Sequence, residues 1–359
     1  MRSTSSARVT LRELAWHLAL SPTTVSRALN GYPEVGKATR ERVQAAAEQL
    51  GYVPDRSARR LAHGRADAFG LIFPAGAEQL LDPVFAEFIG GLMDYAARAR
   101  LEISLQPVPP EDELAAYRRA AAQQGVDGFI VSSARDGADP RVAQLVDMGV
   151  PFVVHGRTEA PQPVPFMDID NYGAFERAGR LLAAYGHRRI ALLGGDLGRR
   201  FARDRYDGLR AGLGSQDIGA DALSVHEGPM IEETGYRAAR RAFDLPAGQR
   251  PTAFACTSIF VALGVKRAAQ ERGLGTPEDY TLLAHDDRAP YLRSEFFTPP
   301  LTATQASIRE GGRRAAEMLH QRVDGAPVEN LQETWPVDLV LRNTIGPPPL
   351  AATGASVPV

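Results

Sequence analysis

The 359-residue chain contains one cysteine and no long run of apolar residues. The single Cys256 excludes an intrachain disulfide and a metal site built from several cysteines. No apolar run approaches the ~20 residues that a membrane-spanning helix needs, and the N-terminus lacks the apolar core of a signal peptide. We therefore expect a cytoplasmic protein without a membrane partner. Within the apolar run 253–257, Cys256 is predicted to be a buried small hydrophobe rather than a nucleophile.

The sequence also lacks the common motifs of catalytic, metal and phosphate-binding sites. It contains no G-x-S-x-G, H-E-x-x-H or C-x-x-C pattern, so it offers no recognisable nucleophile elbow or zinc motif. Gly194 and Gly195 follow an apolar run, but without G-x-G-x-x-G spacing or a following Lys-Ser/Thr they do not predict a phosphate cradle. The sequence therefore favours a binding protein over an enzyme, and it predicts neither a metal nor a cofactor.

Length and charge indicate several domains with different partners. A chain of 359 residues, 44% of them hydrophobic, is too long for one ordinary core and is expected to form two or three domains. Residues 1–65 hold eleven Lys and Arg against five Asp and Glu, a formal charge of +6, whereas the whole chain carries −2. Residues 66–359 therefore carry −8, and a basic head on an acidic body indicates a polyanion partner for the head alone.

Residues 9–51 have the pattern of a helix-turn-helix followed by a third helix over 37–50. Thr10 and Glu13 have the spacing of a capping box at the start of the first helix. Ser21 is predicted to be the N-cap of the second helix, with Pro22 as its first residue. That helix buries Val25, Ala28 and Leu29 and turns outward Thr23, Thr24, Ser26 and Arg27. A short turn and an outward polar second helix are the geometry that places a recognition helix in the major groove of DNA.

A short basic segment, from Asp55 to Gly64, comes soon after. Arg56 and Arg59 can meet DNA phosphates, and Leu61 is the only bulky apolar side chain of the segment. Two turns of helix are marginal alone in water, so the segment is expected to order when docked. An apolar wedge between base steps is how minor-groove binders kink DNA. The alternative, a solvated helical face, accounts for neither the turn residues nor the wedge.

Together these segments resemble the headpiece and hinge of the lactose-repressor (LacI/GalR) family of bacterial transcription regulators. The similarity is carried by Thr10-Leu11, the run from Ser21 to Asn30, Thr39-Arg40 and Leu50-Gly51-Tyr52-x-Pro54. It implies that Pro22, Thr23 and Arg27 read base edges and that Leu61 is the minor-groove lever. The positions that it implies for phosphate contacts are Thr10, Ser21, Thr24 and Asn30.

From Ala68 onward, apolar strands alternate with helical stretches. Strands are predicted at 69–73, 103–108, 128–132, 152–155, 166–169, 190–193, 253–257 and 281–285. Helical patterns between them include 85–99, 114–124, 142–148, 174–185, 209–213, 236–243, 260–272 and 308–323. Near-continuous apolar strands with crossover helices indicate parallel sheets covered on both faces. The units exceed one sheet, so two doubly wound halves are expected.

The resemblance extends over almost all of the chain and supplies a domain plan. It is carried here by Asp168-x-Asp170-Asn171, 186–191, 281–287 and 299–302. It implies a headpiece at 1–53, a hinge helix at 54–65 and an effector-binding and dimerisation domain at 66–345; the Pro/Gly/Ala-rich tail at 346–359 is predicted to be disordered. The effector domain is expected to be α/β, two-lobed and similar to periplasmic sugar-binding proteins, with three crossovers. The expected lobes are 68–166 plus 300–325, and 167–299 plus 326–345.

Polar residues at strand ends are the candidates for a binding site, because ligands of open α/β sheets bind beyond the carboxyl ends of the strands. These candidates are His155, Arg157, Arg205, Ser258 and the run His285-Asp286-Asp287, of which Asp286 is the preferred carboxylate. Carboxylates and guanidinium groups pair with hydroxyls, and aromatic rings stack on sugar faces, so the set suits a polyol. The resemblance places Arg205, Asp286 and Arg157 at effector-contacting positions and Phe85 at an aromatic wall.

Structural interpretations of the same residues stay open at this point. Arg205 and Asp286 also fit an ion pair that holds a helix to a strand end. His155 and His285 also fit hydrogen-bonded structural histidines, and Phe85 also fits a core position.

The residues favour a sugar over a nucleobase as the effector. Met230 stands where purine-responsive members of the family have an aromatic ring, so that stacking partner is absent. The run from His155 to Glu159 is similar to members associated with α-glucoside use. The sequence therefore predicts a repressor that binds a palindromic operator in double-stranded DNA as a homodimer and responds to a small-molecule sugar such as an α-glucoside. The alternatives are a purine- or nucleoside-responsive regulator of the same family and a sugar-binding transport component.

Overall fold

The computed structural model describes residues 9–29, 31–52, 64–76 and 82–349. The chain divides into two compact units, Met1–Ala66 and Asp67–Val359. The described part of the first unit is helical, and that of the second contains two six-stranded sheets with helices between the strands. No helix in the described ranges is long and apolar enough to cross a membrane.

The described residues of the first unit pack three helices around a small core. The helices are α1 (Leu11–His17), α2 (Pro22–Leu29) and α3 (Lys37–Gln49). The capping box is confirmed: the Thr10 amide donates to Glu13 Oε2 at 2.7 Å, and the Glu13 amide donates to Thr10 Oγ1 at 3.3 Å. The core consists of Leu14, Ala15, Leu18, Val25, Ala28, Val35, Val43, Ala46 and Ala47. Burial of one face of α2 leaves Thr23 and Arg27 exposed and Thr24 and Ser26 partly exposed.

The second unit alternates strands and helices along the chain. Its strands are β1 (Ala68–Pro74), β2 (Glu102–Val108), β3 (Gly128–Val131), β4 (Phe152–His155), β5 (Phe166–Ile169), β6 (Ile190–Leu193), β7 (Leu223–His226), β8 (Ala253–Cys256), β9 (Thr281–Asp286), β10 (Thr302–Gln305), β11 (Gln332–Trp335) and β12 (Asp338–Val340). Its helices are α4 (Pro83–Ala99), α5 (Glu113–Ala122), α6 (Pro140–Asp147), α7 (Asn171–Ala184), α8 (Arg200–Gly214), α9 (Glu232–Phe243), α10 (Ile259–Gln270) and α11 (Ile308–Val323). All eight predicted strands and the predicted helical segments are present.

The two sheets repeat one topology. The first has the order β11-β5-β4-β3-β1-β2, and the second has the order β12-β10-β9-β8-β6-β7. Neighbouring strands are parallel except for β10 and β12, which are antiparallel. In each sheet the strand order reverses beside the first strand, β1 or β6, so each lobe has a switch point of the kind at which doubly wound sheets bind ligands.

The expected lobe limits are wrong at three strands. β5 lies in the first sheet beside β4, although 167–299 was expected in the second lobe. β10 pairs with β9 in the second sheet, although 300–325 was expected in the first lobe. β11 pairs with β5 in the first sheet, although 326–345 was expected in the second. The chain passes between the lobes three times: after β5, after β10 and after β11. β10 and β11 are short and rich in polar residues, so neither shows the apolar run that predicts a buried strand.

Gly194 and Gly195 serve backbone geometry at the end of β6. Their φ angles are +85° and +80°, in the left-handed region that favours glycine. A Cβ on Gly194 would lie 2.7 Å from Thr257 Oγ1, and one on Gly195 would lie 3.0 Å from the Cβ of Ala202. The pair therefore allows the loop after β6 to pass close to β8 and to the start of α8.

A buried charge cluster fixes the loop that follows β3. Arg141 is 2% exposed and binds Asp139 at 2.6 Å and Glu113 at 3.0 Å, both of which are also buried. Its Nη2 also donates to the carbonyl oxygen of Ser133 at 3.1 Å. The Arg135 amide donates to Asp139 Oδ2 at 3.0 Å. The hydrogen bonds and ion pairs of the cluster therefore hold residues 133–139 in place.

Replacing Arg141 by methionine is expected to lower the free energy of unfolding by about 3–5 kcal/mol, because two buried carboxylates lose their cation. Urea unfolding followed by circular dichroism measures the change. The matched control is Arg180→Ala, which removes an exposed arginine paired with Glu176 four residues earlier and is expected to cost less than about 0.5 kcal/mol. Equal effects of the two substitutions would contradict a structural role for the cluster.

Candidate functional site

The exposed face of α2 is one candidate site. Ser21 Oγ accepts the Thr24 amide at 3.0 Å and lies 2.8 Å from Thr24 Oγ1, which fixes the first turn of the helix. Thr23 is exposed, and the Arg27 side chain, 53% exposed, lies 3.6 Å from Glu34. A weak surface ion pair of this kind leaves the guanidinium available to a stronger anionic or base-edge partner.

The structure places part of the predicted DNA-binding set. Thr10, Ser21, Pro22, Thr23, Thr24 and Arg27 lie in or directly before α1 and α2. Asn30, Arg56, Arg59 and Leu61 lie outside the described residues, as do the hinge segment from 53 to 63 and the tail from 350. Two other basic residues of this unit, Arg40 and Arg42 of α3, have partners within the protein. Arg40 donates to the carbonyl oxygen of Tyr32, and Arg42 donates to that of Leu18.

A cleft of about 880 Å³, open to solvent, lies at the carboxyl ends of both sheets. Side chains of both lobes line it, among them Phe85, His155, Asp168, Arg205 and Asp287. Of the residues singled out from the sequence, Phe85, His155, Arg205, His285 and Asp287 therefore line the cleft. Arg157, Ser258 and Asp286 are outside its lining.

Arg205 is the buried cation of the cleft. It is 4% exposed, and its Nε donates to Asn171 Oδ1 at 2.8 Å while Nη1 donates to the carbonyl oxygen of Thr257. The guanidinium carbon lies 5.2 Å from the ring centre of Phe201 and 5.6 Å from that of Phe175. Burial lowers the pKa of Arg205 to about 10. Its Nη2 has no hydrogen-bond partner among the described residues.

Asp287, not Asp286, lines the cleft at the end of β9. Asp286 points the other way, and its carboxylate accepts from the amides of Arg288 and Ser294 at 2.8 Å and from Ser294 Oγ at 2.6 Å. The alternative interpretation of an Arg205–Asp286 ion pair is therefore wrong. Successive side chains of a strand point to opposite faces, which separates the two neighbouring aspartates.

Ser258 and Arg157 lie outside the cleft lining but contact carboxyl groups that line it. Ser258 is fully buried; its Oγ accepts the Phe260 amide at 3.3 Å at the start of α10 and donates to Asp287 Oδ2 at 3.4 Å. Arg157 Nε donates to Asp168 Oδ2 at 2.8 Å, and Asp168 is the partner that lines the cleft. Both residues therefore position a carboxylate of the wall.

The first lobe supplies a mainly aromatic wall. The rings of His155 and Phe88 lie 4.3 Å apart with an interplanar angle of 31°. Phe85 lies edge-on to Phe73 at 5.3 Å and is buried, so it serves the core and the wall at once. Burial lowers the pKa of His155 to about 4, so its imidazole is neutral at physiological pH. Neither ring nitrogen of His155 has a hydrogen-bond partner among the described residues.

A two-stranded contact, the interlobe clasp, joins residues 133–136 to residues 198–203 beside the cleft. The Asp136 amide donates to the carbonyl oxygen of Gly198, and the Arg200 amide to that of Ala134, both at 3.0 Å. Arg199 Nη1 reaches the Ser133 carbonyl oxygen at 3.0 Å. Since the Arg141 cluster fixes the same loop, the clasp connects a rigid part of the first lobe to the start of α8.

Several lining residues were not predicted. They include Asp82, Ser132, Asn171, Arg200 and Phe201. Strand alternation would have separated Asp287 from Asp286, and the Asp168-x-Asp170-Asn171 motif already contained Asn171. Phe201 and Arg200 gave no signal, because the first turn of α8 is rich in arginine and lacks an apolar period.

A helix-turn-helix with an exposed polar second helix, followed in the chain by two repeated lobes around a polar and aromatic cleft, defines a DNA-binding regulator with a ligand-binding domain. Residues 10–55 match the bacterial regulatory proteins of the lacI family, and residues 180–345 match the periplasmic binding protein-like domain. The HTH-type transcriptional regulator AglR of Rhizobium meliloti (strain 1021) is 43% identical over 342 residues, 95% of each chain. The chain belongs to the lacI family.

Solved structures agree with this assignment. The lac repressor dimer bound to operator and the anti-inducer ONPF matches with a TM-score of 0.80 and 26% identity, covering 94% of this chain and 99% of that one. The transcriptional regulator CelR in complex with cellobiose matches with a TM-score of 0.66 and 28% identity, covering 94% and 100%. The predicted family and fold class are confirmed, and the relatives are transcriptional regulators rather than enzymes.

Proposed function

We propose that this regulator is a repressor that binds a palindromic operator as a homodimer and responds to an uncharged sugar, such as an α-glucoside, in the interlobe cleft. The observation that carries the choice of ligand is the pairing of charge in the cleft. Arg157 is paired with Asp168 at 2.8 Å, and Arg200 is paired with Asp204 at 2.9 Å. These two pairs are neutral, and the other charged side chains of the lining, Arg205, Asp82 and Asp287, are of both signs, so the cleft lacks a cluster of one charge that would attract an ionic ligand.

The remaining polar groups suit hydroxyls. Nη2 of Arg205 is a free donor, the Asp287 carboxyl group lies in the same lining, and His155 offers one donor and one acceptor as a neutral imidazole. Sugar hydroxyls donate and accept in the same way, and the apolar faces of the ring fit beside Phe85 and Phe201. Met230 lines the cleft where a nucleobase would need a stacking ring. CelR, a relative of this chain, binds cellobiose, which supports a saccharide.

The headpiece supplies the proposed DNA contacts. Pro22, Thr23 and Arg27 would read base edges in the major groove. Thr10, Ser21 and Thr24, together with Asn30, Arg56 and Arg59, would contact phosphates, and Leu61 would enter the minor groove. A dimer would present two headpieces to the two halves of a palindrome. The lac repressor, a dimer bound to operator, supports this arrangement.

Arg27→Ala is expected to reduce operator preference at least tenfold. A guanidinium that reads guanine contributes roughly 1–3 kcal/mol of discrimination between bases. The operator is first selected from a random duplex library with the wild-type protein. Fluorescence anisotropy then gives the ratio of affinities for the selected and a scrambled duplex. The charge-matched control Arg98→Ala, at an exposed position of α4, should leave the ratio unchanged. A ratio unaffected by Arg27→Ala would refute base reading by α2.

Arg205→Ala is expected to abolish stabilisation by the effector. Thermal unfolding is measured with glucose, maltose, trehalose, sucrose, cellobiose and raffinose, with adenosine as the nucleoside control. The wild-type protein should gain stability with a saccharide, because a ligand that binds only the folded state raises Tm. Arg210→Ala, which removes an exposed arginine of the same helix, should retain the gain. A gain that survives Arg205→Ala would place the pocket elsewhere, and a gain with adenosine alone would favour the nucleoside-responsive alternative.

A further inference from the structure

One buried nitrogen in the cleft region has no partner. His285 is 1% exposed and lies on β9, and its Nδ1 is 2.9 Å from Thr304 Oγ1 on β10. Its Nε2 has neither contact with solvent nor a hydrogen bond in the described part of the chain. Oδ1 of Asp287 lies 3.6 Å from this nitrogen.

His187 shows what a structural histidine looks like in this protein. It is also fully buried, and its Nδ1 lies 2.8 Å from Thr252 Oγ1. Its Nε2 lies 3.1 Å from Thr281 Oγ1 and 2.9 Å from the Gly346 carbonyl oxygen. Both nitrogens of His187 are thus satisfied, whereas His285 keeps one nitrogen turned toward a carboxyl group that lines the cleft.

Electrostatics assigns the tautomer of His285. When Asp287 is ionised, a hydrogen on Nδ1 would leave the Nε2 lone pair facing a carboxylate oxygen, and the two acceptors would repel. If Thr304 Oγ1 donates to Nδ1, the hydrogen sits on Nε2 and points at Asp287. Burial and the nearby Arg205 hold the pKa of His285 well below its usual range, so the ring is neutral and carries only this one hydrogen.

The surroundings of Asp287 include groups that favour the ionised form of its carboxyl group and groups that oppose it. Burial raises the pKa of its carboxyl group to about 7. Arg205 and the Ser258 hydroxyl favour the ionised form, while the carboxyl groups of Asp286 and Asp82 oppose it. The neutral His285 faces the same carboxyl group from its own strand. A small change in hydrogen bonding therefore decides whether Asp287 is charged.

We propose that His285 is a positioning residue that acts on the effector through Asp287. The Nε2–H of His285 donates to Oδ1 of the ionised Asp287 carboxylate, and this carboxylate accepts a hydrogen bond from a ligand hydroxyl. This inference rests on the proposed function. A hydroxyl can donate to the carboxylate but gains less from the protonated acid. Ligand binding therefore draws the carboxyl group into its ionised form and releases a proton, and the 3.6 Å separation closes to a hydrogen bond.

Affinity for the saccharide must then rise with pH. In the free protein, a carboxyl group with a pKa of about 7 is mostly protonated at pH 6 and mostly ionised at pH 8. Because only the ionised form binds well, the dissociation constant should be about tenfold larger at pH 6 than at pH 8.

Isothermal titration calorimetry tests this with the saccharide that most stabilises the wild-type protein in the thermal screen. Titrations at pH 6, 7 and 8, in two buffers of different ionisation enthalpy, give the affinity and the number of protons released. Asp287→Asn should weaken binding and remove the pH dependence. His285→Phe should move the midpoint of the profile to higher pH and weaken binding about tenfold at pH 7, whereas His285→Gln, which keeps a side-chain donor, should restore part of the profile.

The control is His226→Gln, which changes a half-buried histidine on β7 outside the cleft lining and should leave the profile as in wild type. Circular dichroism and thermal unfolding without saccharide confirm that each variant is folded. The pH dependence of the wild-type protein tests the inference even if a variant does not fold. A saccharide that binds with pH-independent affinity, or a His285→Phe profile that matches wild type, would overturn this inference alone. A wild-type protein that binds none of the saccharides would overturn both this inference and the proposed effector.

Discussion

The buried guanidinium of Arg205 constrains the whole cleft. A cation taken out of water costs several kcal/mol unless the surrounding groups replace its hydration. Here Asn171, the Thr257 carbonyl oxygen and two phenylalanine rings do so, which fixes the starts of α7 and α8 and the end of β8 relative to one another. Arg205 lines the cleft, and these contacts leave one of its terminal nitrogens without a partner among the described residues. The second lobe therefore presents a rigid donor rather than a flexible side chain, and a ligand need not order it on binding.

The repeated topology explains how one small ligand can act on two lobes. Each sheet ends at the same cleft, so a bound polyol would touch His155 on one side and Arg205 on the other. Three chain crossings and the interlobe clasp join the two lobes. An effector changes such an equilibrium only through its different affinity for the two arrangements. A ligand that contacts both lobes at once has a different affinity for each arrangement of the lobes.

Much of the fold follows from local pattern, and the failures have physical reasons. Thr10 and Glu13 predict the start of α1, since a capping box needs only residues three apart. β10 and β11 were missed because their polar residues pack beside the crossovers, where long-range contacts rather than alternation fix the strand. At the site, sequence reasoning found Arg205 but chose Asp286 instead of Asp287. If the strand alternation is extended by one residue beyond Asp286, Asp287 falls on the same face of the strand as His285.

The direct test of the central claim is the coupling between the cleft and DNA. Operator affinity is measured by fluorescence anisotropy with and without a saturating saccharide, at fixed salt because phosphate contacts make binding salt-dependent. We expect the saccharide to change the operator dissociation constant at least tenfold in the wild-type protein, within the range of ordinary coupling energies. The operator, in turn, should change the affinity for the saccharide by the same factor. An operator affinity that is identical with and without every saccharide that binds would contradict control of this regulator by the interlobe cleft.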